Sequence, residues 1–204
     1  MAIRIKSHWS HPGTARTLPE IAGALAFIAW RIAVDRAINL HCERFLYRDD
    51  AQRLAVIREY LVFLIQIADR LAYAWPTTGP GEWNGDGAAA HPAETERHIL
   101  ITALARKVVE HLQDNSQDLL GPGDYGPPFI DLLNQRSDEY AELPCEPAGP
   151  SYVFLRHLGY EIQCLMGTGQ DHRWVIDQVM DQDGPAAYQS FAKAFRDLFH
   201  RQAE

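Results

Sequence analysis

Apolar side chains recur along most of this chain at spacings that alternate three and four, the period of one face of an α-helix. The stretch Asp50 to Trp75 shows this most fully. Leu54, Ile57, Leu61, Leu64, Ala68, Leu71 and Trp75 form one stripe, and Val56, Tyr60, Phe63 and Ile67 a second beside it. At about 3.6 residues per turn the two merge into an apolar arc of roughly 200°. A surface helix needs only about 100°, so this one is expected to be packed on two sides. Its remaining arc carries Glu59, Gln66, Arg70 and Tyr73. That arc either meets water, lines a site or is covered by a second subunit. Asp49 or Asp50 caps the start, and Pro76 ends the helix.

Upstream, Thr17 and Glu20 make a capping box with Pro19 in the first turn, which predicts a helix over 18–48. Its expected stripes are Phe27, Trp30, Val34, Ile38, His41 and Phe45, with Ile21, Leu25, Ile28 and Ile32 alongside. The link to the next helix is so short that 18–48 and 50–75 should pair as an antiparallel hairpin. Residues 76–92 form a long Gly/Pro-rich loop with Trp83 near its middle. A third helix is predicted from about Pro92 to Leu120, with Glu94 and Glu96 in its first turn and a stripe of Ile101, Ala105, Val108 and Leu112. It is expected to fray near Asn115.

The run from Gly121 to Pro128 breaks the chain. Helices are then expected over Phe129–Leu143, Ser151–Met166 and Asp171–Asp181, and from Asp183-Gly184-Pro185 to the C-terminus. The pattern therefore predicts an all-α, single-domain bundle of about seven helices over 17–204, preceded by an arm, 1–16. The only strand-like alternation lies in the first few residues.

Composition narrows the partners. Nineteen basic against twenty-seven acidic residues leave a net charge of −8, and the basic residues form no cluster, so nucleic acid is not an expected partner. The apolar run Ile21–Trp30 is too short to span a bilayer, and Arg31 closes it. Cys42, Cys145 and Cys164 make no CxxC pair, which reads as reduced-compartment usage and points to a cytoplasmic location. Cys42 and Cys164 are expected as small core residues, and Cys145, beside prolines and an acid, as an unreactive thiol.

Chemistry is sparse. Glu94 and His98 lie four apart on one helix, and His157 and Glu161 four apart on another, with Cys164 one turn on. Two helices that each turn a carboxylate and an imidazole inward are how di-iron carboxylate bundles hold metal. Those bundles use Glu-x-x-His, however, and here the spacing is four and one pair is reversed. The alternative is two ordinary surface pairs. His41 reads as a hydrogen-bonded core histidine. Glu82, Asn84, Asp86 and Gly87 match the first half of a calcium loop, but the acid due at position twelve is Ala93. The Gly121–Pro128 run lacks the N–H donors and the lysine of a phosphate cradle. His8 and His11 stand without further ligands. No serine or cysteine sits in a nucleophile elbow, so the reading leans away from an enzyme.

In general style the chain resembles small bacterial helical proteins, a likeness with no motif and no implied function. Two functional expectations remain. The first is a non-enzymatic adaptor or regulatory protein acting through protein–protein contacts, a homodimer included, with Trp83, Glu59, Gln66, Arg70 and Tyr73 as interface candidates. The second is a metal- or small-molecule-binding bundle that uses Glu94, His98, His157 and Glu161 between the third and fifth helices, with no other cofactor.

Overall fold

The computed structural model describes residues 16–42, 45–74, 94–146, 148–167 and 175–200, without the side chains of Cys42 and His200. The helices are α1 (Leu18–Cys42), α2 (Asp50–Ala74), α3 (Glu94–Leu120), α4 (Gly126–Ala141), α5 (Tyr152–Met166), α6 (Val175–Gln178) and α7 (Gly184–His200). The expected all-α bundle is what forms. A single π-helical turn, Val179–Asp183, joins α6 to α7 in one continuous rod. In that wider turn Gly184 N–H reaches Val179 O, and Pro185, which has no N–H to give, enters without breaking the helix. The N-terminal arm with His8 and His11, and the long loop with Trp83 and its calcium-like run, lie outside the described residues.

Helix α2 is the centre of the bundle, packed by α1, α3, α4, α5 and α7. Every residue from Glu59 to Ala68 is buried, so the Glu59 and Gln66 part of its polar arc is covered, whereas Arg70 is half-buried and Tyr73 exposed. Asp49 caps it, accepting a hydrogen bond from Gln52 N at 2.7 Å.

Helix α1 departs from expectation in two ways. It ends at Cys42, not Arg48, and residues 45–49 ahead of α2 are not helical, with Phe45 still buried. Tyr47 secures the link by donating to Ala37 O at 2.8 Å. The buried face is also not the stripe of large residues. Ala22, Ala26, Ala29, Ala33 and Ala37 are fully buried, together with Ile21, Leu25 and Leu40. Phe27 and Ile38 are 51% and 54% exposed, and His41, expected in the core, is exposed and stacked on Tyr47. Alanines let two backbones approach closely, and the most extensive neighbour of α1 is α3. On α3 the buried stripe is Leu100, Leu104, Val108, Leu112 and Ser116, and the helix stays intact through Asn115, whose side chain donates to His111 O at 2.8 Å.

The start of α4 at Gly126 places Pro127 and Pro128 in its first turn, where missing N–H groups cost nothing. Between α4 and α5 a two-stranded hairpin pairs Cys145 with Pro150 and Glu146 with Gly149, short strands that periodicity did not predict. Ser151 caps α5, accepting from Phe154 N at 3.3 Å. Gly159 in α5 lies against Ile176, where a Cβ would meet its carbonyl oxygen at 2.9 Å. Among the described residues no helix is long and apolar enough to cross a membrane.

Enlarging the alanine face tests this packing. Ala33→Leu is expected to lower unfolding free energy by about 1–3 kcal/mol through overpacking. Ile38→Ala, on the face with the larger residues, is expected to shift it by no more than about 0.5 kcal/mol. Denaturant titration of both variants checks the assignment, and the reverse order of cost would overturn it.

Candidate functional site

The polar arc of α2 faces α4, and the two helices are joined rung by rung. Glu59 accepts both Nε (3.1 Å) and Nη2 (3.0 Å) of Arg136. About two turns on, Gln66 Nε2 donates to Ser137 Oγ at 2.8 Å, and Ser137 in turn donates to Leu133 O at 2.7 Å. Arg70 Nη2 then donates to Tyr140 O at 3.0 Å. Two of the expected interface residues, Glu59 and Gln66, are thus buried under α4 of the same chain and do not offer a surface to a second subunit, and Arg70 is half-buried. Tyr73, at the end of the arc, is exposed, with the Arg97 guanidinium 5.3 Å from its ring centre.

Arg136 is the hub of the first rung. Beyond the fork to Glu59, its Nη1 donates to Glu139 at 2.8 Å and its Nη2 to Glu161 of α5. Burial disfavours the Arg136 charge, but the bonds to Glu59 and the surrounding carboxylates outweigh it and raise the guanidinium pKa further. Glu59 goes the other way: its burial pushes the carboxyl above its ordinary value despite Arg136. For Glu139 the modest burial is overcome by hydrogen bonds from Gln135 and Arg136, which hold it below the usual carboxylate range.

His157 of α5 completes the cluster. Its Nε2 lies 3.1 Å from Glu139 Oε2, and its ring meets Tyr140 edge-on at 4.7 Å between centres. Tyr140 is fully buried, and burial, followed by the field of Glu59, drives its phenol far above the ordinary tyrosine value. Three carboxylates, Glu59, Glu139 and Glu161, face the one guanidinium of Arg136.

The four residues singled out as a metal set divide between two places. His157 and Glu161 come together, joined by Glu139 rather than by Glu94 and His98. Among the described residues Glu139, His157 and Glu161 are the group whose ligand atoms all lie within 4.8 Å of one another. Glu94 and His98 line a different cavity of about 310 Å³ with Asp69, Arg97, Ile101, Thr102 and Ala105. There Asp69 holds Arg97 through two bonds of 2.7 Å. Cys164, expected in the core, is exposed. Cys145 is half-buried, and that burial raises its thiol pKa, in keeping with the unreactive reading.

Sequence reasoning missed Arg136, Glu139 and Tyr140. The signal was present: Phe129, Leu133, Arg136 and Tyr140 recur at four, three and four, so an arginine stands inside the apolar stripe of α4. A second buried polar group, Asp183 in the π-helical turn, also escaped notice. Its carboxylate accepts Asn39 Nδ2 at 2.7 Å and lies 3.6 Å from Arg36 Nη1. The phenols of Tyr47 and Tyr60 are pushed up by burial first and by Asp183 next.

A comparison with protein-family models finds no match, and comparisons with curated proteins and with solved structures find no significant match.

Removing the hub tests the arrangement. Arg136→Met strands buried carboxylates and is expected to cost about 3–5 kcal/mol in denaturant unfolding at neutral pH. A carboxylate whose folded pKa is raised contributes stability below its unfolded value, near ~4.3, and loses it as pH rises through the folded value. Glu59 is raised already and loses its counter-charge in the variant, so the deficit should shrink as pH falls from about 7 toward about 5. A deficit that stays flat across that window would refute the assigned network.

Proposed function

We propose that the protein works by binding another polypeptide, an amphipathic segment with basic side chains, on the outer face of α5 and the adjoining rim of α4. The observation that carries this reading is the outward side of α5, where Tyr152 is 68% exposed, Tyr160 56% and Val153 45%. Tyrosines supply large contact area at little rotamer cost and are typical interface anchors. On α4, which Arg136 ties to α5, Asp131 and Asp138 are exposed, as is the C-cap residue Glu142. Arg156 lies between the tyrosines, but the wider face stays acidic, as does the whole chain at −8. That charge favours encounter with a basic partner.

The hub beneath supports the reading energetically. Arg136 ties α4 and α5 to α2, so the face is rigid before a partner arrives and less ordering entropy is lost on binding. The same acids set like charges against each other across a pair of identical copies, which favours a different polypeptide as the occupant. The reading keeps protein–protein contact as the function and moves the surface from the polar arc of α2 to α5.

A synthetic leucine/lysine amphipathic helix is a sufficient probe, with a leucine/glutamate helix as its counterpart. The basic peptide is expected to bind in fluorescence anisotropy and to weaken as salt rises. Tyr152→Ser with Tyr160→Ser should weaken it at least about tenfold with melting unchanged. Equal binding of the acidic peptide would overturn the reading. So would a chain that light scattering finds dimeric and that the double variant makes monomeric, which would assign the face to self-association.

A further inference from the structure

We infer that Glu139, His157 and Glu161 form a binding site for one divalent first-row metal ion, with Arg136 as the residue that positions both carboxylates. The inference does not depend on the docking face. It rests on four observations that converge on one spot.

The first is composition and spacing. One imidazole nitrogen and two carboxylate oxygens lie within 4.8 Å of one another, drawn from adjacent turns of α5 and the facing turn of α4. Metal–ligand bonds of about 2.1 Å place neighbouring donors about 3.0–3.4 Å apart at octahedral or tetrahedral corners. His157 Nε2 and Glu139 Oε2, at 3.1 Å, are already at that separation. A mixed nitrogen and oxygen set suits manganese, iron or zinc better than calcium, which takes oxygen alone.

The second is direction. His157 Nε2 is enclosed by protein, yet it makes no hydrogen bond, although Glu139 is within reach. A hydrogen bond needs the oxygen in line with the ring N–H. A bridging ion needs the nitrogen lone pair to point at a third position, off the line between the two ligand atoms. The geometry fails the first requirement and is compatible with the second.

The third is Tyr140. It is fully buried, and its hydroxyl has no hydrogen-bond partner among the described residues. That hydroxyl lies in the field of Glu59, Glu161 and Glu139, and its ring abuts His157. Tyr140 and His157, whose rings touch, thus each carry an unsatisfied polar atom, a lack that an ion with its bound water would fill.

The fourth is charge. Three carboxylates, two of them in the ligand set, surround a single guanidinium, an acidic balance that favours a cation. Arg136 does not compete for the site in kind. Arg136 Nη1 bonds the same Glu139 oxygen that faces His157, Oε2, but a carboxylate oxygen has a second lone pair to offer an ion, and an arginine bonded to a ligating carboxylate is an ordinary outer support that fixes its orientation.

The experiment uses the untagged full chain stripped with chelator, titrated calorimetrically with Zn²⁺ and Mn²⁺, and with Co²⁺ followed by its visible absorption. One ion per chain is expected, with Co²⁺ bands of a nitrogen and oxygen site and a rise in melting temperature. His157→Ala and Glu161→Gln should each weaken binding by more than about tenfold, since loss of even an outer support costs about 10–100-fold. His8→Ala with His11→Ala, and His98→Ala, should leave it unchanged. Folding of each variant is checked by circular dichroism, and Glu161→Gln, nearly isosteric, serves if His157→Ala does not fold. Binding below one ion in ten chains, unchanged affinity in Glu161→Gln, or loss of binding in the arm or His98 variants would each overturn the proposal.

Discussion

A buried guanidinium needs carboxylates around it, and this requirement orders the lower half of the bundle. Arg136 stands where the stripe of α4 calls for an apolar residue, and it is satisfied by Glu59 from α2, Glu139 from its own helix and Glu161 from α5. Its rigid planar fork fixes direction as well as distance, which a lysine ammonium would not. Helices that meet only through hydrocarbon can slide by fractions of a turn at modest cost. Helices that meet at such a knot cannot, because any shift strands a buried charge.

The opposite flank is held by a different rule. Alanines on α1 let it nestle against α3, and register there comes from steric fit at short range. The central helix α2 serves both regimes, offering hydrocarbon to one set of neighbours and a ladder of Glu59, Gln66 and Arg70 to α4. A helix buried all round can carry polar residues only if each finds a partner. That is why the inner part of the arc, Glu59 and Gln66, is filled from within the chain.

Large, regular features were legible without coordinates: the helical class, the centrality of α2, the caps at Thr17 and Asp49, and the helix at Tyr152–Met166. Errors arose where small residues or single charges decided the outcome. Hydrophobic patterning weights Phe27 and Ile38 above Ala29 and Ala33, yet close packing selects the alanines. The His157–Glu161 pair was visible as a spacing on one helix, whereas its partners on α4 depend on how two helices are brought together, which no local pattern encodes. Asp183 was read as the start of a helix because Gly-Pro follows it, a reasonable turn signal that the π-helical turn circumvents.

That wide turn has a geometric meaning of its own. It accommodates one residue more than an α-helical turn would, and a residue is worth about 100° of rotation about the axis. The phase of α7 relative to α6 is therefore set by a single surplus amino acid between Val179 and Asp183. With it, Val175 before the turn together with Val179 that opens it, and Phe191 and Phe195 after it, are buried in the same core. Without it, one of those two sets would have to rotate toward water, so the rod acts as a phase-setting joint whose length in residues is as constrained as any side chain in the interior.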